Sequence, residues 1–87
     1  MNIVWDEPKR LANLDKHGLD FADVDFFDWG DALITPSYSR RFKAIGAYRG
    51  RVIVVVYSRL GNAAVSILGM RPASAKERKL HEEGQGI

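Results

Sequence analysis

The chain has 87 residues, of which 46% are hydrophobic and 28% charged; it contains no cysteine and carries a formal net charge of +2. A chain of this length buries only about 60 to 65 per cent of its unfolded surface, which supports one core and not two, so residues 1–87 are expected to form a single domain. The absence of cysteine removes disulfides, thiol nucleophiles and cysteine metal sites and fits a reducing cytosol. The longest apolar run, Val52 to Tyr57, is six residues, against about twenty for a membrane helix.

In chain order, Ile3-Val4-Trp5 reads as a short edge strand. Asp6 ahead of Pro8 marks a helix start, because aspartate caps free amides and proline suits the first turn. Leu11 and Leu14 share one face of that helix. Gly18 ends it in the left-handed conformation, with Lys16 and His17 at the negative end of its dipole. Asp20 caps a second helix whose Phe21, Val24 and Phe27 form an apolar stripe reaching about Asp28. A turn at Trp29-Gly30-Asp31 precedes a brief strand at Ala32 to Thr35, ended by Pro36 and a Ser37-Tyr38-Ser39 loop. Arg41 to Tyr48, Arg51 to Ser58 and Ala64 to Met70 then read as an antiparallel meander, turning at Arg49-Gly50 and at Leu60-Gly61-Asn62. Val52-Ile53-Val54-Val55-Val56 does not alternate, so both its faces should be buried. Pro72 stops the last strand, and Ser74-Ala75-Lys76-Glu77 has the spacing of a capping box opening a third, largely polar helix. The expected fold class is α+β, with two N-terminal helices, an antiparallel meander of three to four strands and a C-terminal helix.

Charge divides the chain. Ten bases from Arg40 to Lys79 face a single acid, Glu77, whereas the first 34 residues hold eight acids and three bases. A local excess of this kind suits a polyphosphate ligand. Common catalytic kits are missing: there is no glycine-rich phosphate loop, no Gly-x-Ser-x-Gly elbow and no metal-ligand spacing around His17 or His81. Asp20, Asp23, Asp25, Asp28 and Asp31 raise a two-metal nuclease reading, but helical spacing spreads them, and a solvated acidic face is the simpler account. No cofactor is expected.

The remaining set is Arg41, Arg59 and Arg71 on or beside strands, with Lys76, Arg78, Lys79 and His81 on the following helix. Such a set can cut RNA without metal, the ribose 2′-hydroxyl attacking the adjacent phosphate. Arginine forks match phosphate oxygens and stay charged, and histidine carries protons near neutrality. Arg41, Arg59, Arg71 and His81 are therefore the catalytic candidates, with Arg40, Lys43, Lys76, Arg78 and Lys79 as RNA-binding residues. A lone arginine at a strand end more often makes a surface ion pair, so the reading rests on the cluster. Trp5, Trp29 and Tyr57 fit core or rim packing, although Tyr57 beside Arg59 offers a surface for a base.

Trp5-Asp6, Lys9, Asn13, Lys16-His17-Gly18, Phe21 and Phe27-Asp28 resemble the opening of the BrnT toxins of type II toxin-antitoxin modules. The resemblance continues through Arg41, Ile45-Gly46, Val55-Val56-Tyr57, Arg59 and Arg71-x-Ala73-Ser74-x-x-Glu77-Arg78. It implies a RelE-like fold, a metal-independent ribonuclease that slows translation in the cytoplasm, and neutralisation by a BrnA-type antitoxin with a ribbon-helix-helix DNA-binding domain in a toxin-antitoxin hetero-oligomer. No membrane association is implied. The chain departs from the family pattern where chemistry is expected: Ser66 and Gly69 stand for an arginine and a serine, Ser39 for an acid, and His81 for a tyrosine. These losses motivate a second reading, a non-catalytic basic module that binds an acidic partner or nucleic acid.

Overall fold

In the computed structural model, which describes residues 2–84, the elements run β1 (Asn2–Trp5), α1 (Glu7–His17), a 3₁₀ helix (Phe21–Phe26), β2 (Leu33–Pro36), β3 (Arg41–Tyr48), β4 (Arg51–Leu60), β5 (Ala64–Pro72) and α2 (Ala75–Gly84). The ends of the expected domain, residues 1 and 85–87, lie outside the described residues. The sheet has five strands in the order β1-β5-β4-β3-β2. Strands β2 to β5 form the expected antiparallel meander, with four members; the strand count is corrected by β1. Ile3-Val4-Trp5 does form an edge, but it pairs parallel to β5, Asn2 opposite Ala64 and Trp5 opposite Ile67, making the sheet mixed.

The second expected helix is a single 3₁₀ segment of six residues. Asp20 caps it by accepting the Ala22 N–H at 2.9 Å, and fully buried Phe21 and Val24 anchor it to the core. Two anchors three residues apart on so short a segment suit the three-residue repeat of the 3₁₀ form. The first helix keeps its expected signals. Asp6 accepts the Lys9 N–H, and Gly18 at φ 68° donates to Leu14 O, a left-handed closure that a Cβ would penalise.

Two apolar layers flank the sheet. On one face Ile53, Val55, Tyr57, Ile67 and Met70 pack with Leu19, Phe21, Val24 and Phe27. On the other, Val54, Ile45 and Ala73 make a smaller cluster with Leu33, Val52 and Val56, reached by α2, which contacts β3. Ile53, Val54 and Val55 are therefore buried from both sides, as their unbroken β-branched run predicts. Helix α1 lies against β5. Asn13 extends the sheet where β1 has stopped: its amide donates to Met70 O at 2.9 Å and to Leu19 O at 3.0 Å, while its Oδ1 accepts the Met70 N–H at 3.1 Å.

A β-bulge decides which side chains reach α2. Val56 opposes Gly69 but Tyr57 opposes Ile67, leaving Leu68 as the extra residue. A bulge reverses face alternation beyond it. Arg71 consequently opposes Val54 on the α2 face rather than entering the larger core.

Candidate nucleic-acid interface

The α2 face is only half covered. Beyond the helix, Lys9, Ser37, Tyr38, Arg41, Lys43, Val56, Leu68 and Gly69 enclose an open groove of about 380 Å³. Its floor is the bulged stretch of β5 beside β4, and its cations come from β3 and from the first turn of α1. Arg41 and Lys43 alternate on β3, opposite Ser58 and Val56, so both side chains leave the sheet on this face. Ser66 opposes Ser58 and Gly69 opposes Val56. Both departures from the family's last-strand pattern thus fall on the groove face.

The β2–β3 hairpin orders the rim. Ser39 and Arg40 have φ of 55° and 60°, a conformation that costs non-glycine residues about 1 to 2 kcal/mol each. In return Arg41 N–H closes on Tyr38 O at 3.1 Å. The Arg41 guanidinium lies 5.2 Å from the centre of the Tyr38 ring, which is 72% exposed. Arg40 itself is exposed at the turn.

Arg71 is occupied differently. Its Nη1 and Nη2 donate to Glu77 Oε1 and Oε2 at 2.7 and 2.8 Å. Glu77 also accepts the Ser74 N–H at 2.9 Å, and the Ser74 hydroxyl accepts the Glu77 N–H at 3.1 Å, which completes the expected capping box. Lys43 Nζ stands 3.6 Å from Glu77 Oε2. The Arg71 hydrogen bonds, followed by those from Ser74, hold the Glu77 carboxyl at about 2, against the ordinary 4.5, although burial opposes them. The same pair raises the Arg71 pKa.

Of the four catalytic candidates, the structure brings Arg41 to the groove and Arg71 to its border with α2. Arg59 stands on the opposite face: it opposes Val65 and its guanidinium lies 5.1 Å from the centre of the Phe42 ring, itself stacked on Tyr57 at 5.5 Å. His81 is half-buried on α2, one helical turn beyond Glu77 and on the same side of the helix. The three arginines therefore do not surround one phosphate position. Lys43 joins the groove, while Lys76, Arg78 and Lys79 are exposed on α2, Arg78 donating to Ala73 O at 2.9 Å.

Lys9 and Tyr38 were not among the candidates. Lys9 follows an N-cap and looks like an ordinary first-turn residue; only α1 packing on β5 carries it to Gly69. No group of three or more histidines or acids able to hold a metal occurs among the described residues. Asp20, for one, is engaged by Arg10 Nη1 at 3.0 Å. No helix among them is long and apolar enough to cross a membrane.

Similarity to known proteins agrees with this architecture. Residues 5–77 match the family described as the ribonuclease toxin, BrnT, of type II toxin-antitoxin systems. The crystal structure of the Brucella abortus ribonuclease toxin BrnT superposes with a TM-score of 0.76 at 44% identity, over 85% of this chain and 97% of that one. No curated protein matches the chain. The family match spans most of the sequence and the structural match nearly all of the Brucella protein, so the chain belongs to the BrnT family of ribonuclease toxins of type II toxin-antitoxin systems.

Proposed function

We propose that residues 1–87 form a single RelE-like domain that cuts RNA without metal, slows translation in the cytoplasm, and is neutralised by a BrnA-type antitoxin with a ribbon-helix-helix domain in a hetero-oligomer. The observation that carries this reading is the groove in which Lys9, Arg41 and Lys43 line one open half of the sheet, in a chain of a ribonuclease family. Cations gathered over an apolar floor provide phosphate binding, with Lys43 shared between the groove and Glu77 at 3.6 Å.

In this reading the ribose 2′-oxygen attacks phosphorus and the bond to the 5′-oxygen breaks, leaving a 2′,3′-cyclic phosphate and a 5′-hydroxyl. Arg41 and Lys43 hold the phosphate and bear the charge that grows on its oxygens. His81, on the Glu77 side of α2, is assigned the proton leaving the 2′-hydroxyl or the one delivered to the 5′-oxygen. Arg71 holds the scaffold by fixing Glu77 at the start of α2, and Arg59 binds RNA away from the scissile phosphate. Arg40, Lys76, Arg78 and Lys79 draw RNA in through long-range attraction, which salt weakens.

Purified, antitoxin-free protein mixed with RNA and a chelator tests the reading: cyclic-phosphate ends should appear. Folded protein that cuts no RNA would favour the second reading, a non-catalytic binding module. The placement of Ser66 and Gly69 on the groove face favours that alternative, because an arginine and a hydroxyl are missing where phosphate would lie. Growth on induction separates the two, since only the enzyme arrests cells and is relieved by Arg41→Ala.

A further inference from the structure

A second cleft, of about 540 Å³, opens on the other face of the sheet, between the β4–β5 turn and the start of β1. Ile3, Val65, Trp29 and Tyr57 form its apolar walls, and Arg59 and Asn62 stand at its margin. Its size falls in the range of small-ligand sites, and Arg59 is the one charged residue that lines it. Trp29 meets Tyr57 edge-on at 5.5 Å and Phe27 at 4.9 Å, while Phe42 stacks behind Tyr57. The aromatic wall is thus braced from within. No buried polar side-chain atom lacks a partner, and no hydrogen bond from the Tyr57 hydroxyl is found among the described residues, so that hydroxyl is open to solvent.

Arg59 supplies the charge. Among the described residues it has no carboxylate partner, in contrast to Arg71 and Arg10, and the Phe42 ring supports its guanidinium at 5.1 Å. The cleft and the groove share no lining residue but meet at one end of the sheet. Arg41 opposes Ser58, the neighbour of Arg59 in β4, so the two arginines leave the same end of the sheet on opposite faces.

We propose that this cleft is a nucleotide subsite: a strand lying in the Arg41 groove passes around the end of the sheet and inserts one unstacked base against Trp29 and Tyr57, its phosphate held by Arg59. Every base has a face to pack on aromatic rings, so such a site accepts RNA with little sequence preference. The Arg59 guanidinium matches the acceptor oxygens of a nucleotide phosphate. The proposal rests on the reading of the chain as an RNA-cutting enzyme.

The test uses a Trp5→Phe protein, in which Trp29 is the sole tryptophan, titrated with adenosine monophosphate and with a labelled 2′-deoxy hexanucleotide that cannot be cut. Both should change Trp29 emission saturably. Arg59→Ala should weaken mononucleotide binding roughly tenfold or more, Arg59→Lys should recover part of it, and Arg41→Ala should leave it unchanged. Hexanucleotide binding seen by anisotropy with no response at Trp29 would overturn the subsite while leaving the groove intact. A Trp29 response to the mononucleotide, with no hexanucleotide binding and no RNA cleavage, would overturn both the groove and the passage of a strand into the cleft, leaving a site for free mononucleotides. A Trp29 response to an acidic apolar peptide, and to neither nucleotide, would make the cleft a protein-docking site and overturn the proposal.

Discussion

Arg71 grips both carboxylate oxygens of Glu77, at 2.7 and 2.8 Å, and the same carboxylate caps the helix that begins at Ser74. One acid thereby ties the end of β5, the start of α2 and, through Lys43, the border of the groove.

Glu77→Ala removes the cap and leaves Arg71 without its partner. A fully buried pair broken on one side costs about 3 to 5 kcal/mol. The Arg71 side chain is 36% exposed, so we expect a smaller loss of about 2 to 3 kcal/mol including the cap. Urea denaturation of both single variants and the double variant should give strong coupling between positions 71 and 77.

The clamp also sets an acid limit. Glu77 titrates at about 2 in the folded chain against 4.5 as the ordinary value. Its folded pKa is depressed, so its stabilisation is complete above about pH 5 and is lost as pH falls toward 2. Thermal unfolding of the native chain should steepen across that window, and Glu77→Gln should flatten the dependence.

Asn13→Ala should destabilise the chain by about 2 to 3 kcal/mol, because it leaves Met70 N–H and C=O unpaired beside a fully buried side chain. Asn13→Asp keeps the acceptor for Met70 N–H but turns the donor into a charge facing two carbonyls. It should be no better, as chemical denaturation would measure.

Gly46→Ala should lower the melting temperature. An added Cβ would stand 2.8 Å from Phe27 Cζ and 3.2 Å from Ala32 Cβ, and overpacking of this kind costs about 1 to 3 kcal/mol.

Local chemistry made much of the fold legible. Asp6, Gly18 and the Ser74–Glu77 box act within a few residues of where they stand, and each does what its type predicts. The opposite-face position of Arg59 was legible too, although the expected site grouped it with Arg41. A two-residue turn at Arg49-Gly50 fixes Arg41 opposite Ser58, so Arg59, one residue on, must leave the other face. Arg71 was not. Only the bulge at Leu68, which no residue type announces, turns it toward Glu77. The parallel pairing of β1 with β5 likewise depends on contacts 62 residues apart in sequence, as from Asn2 to Ala64, and the move of Lys9 into the groove depends on how α1 docks.

In the proposed mechanism the groove does the chemistry while Arg71 holds the scaffold. RNA cleavage in chelator by Arg41→Ala, Lys43→Ala and Arg71→Ala, each scaled to its folded fraction, tests it most directly. Arg41→Ala should lose about a hundredfold, Lys43→Ala should lose less, and folded Arg71→Ala should keep a near-native rate. A native rate for Arg41→Ala, with abolished cleavage by fully folded Arg71→Ala, would contradict it.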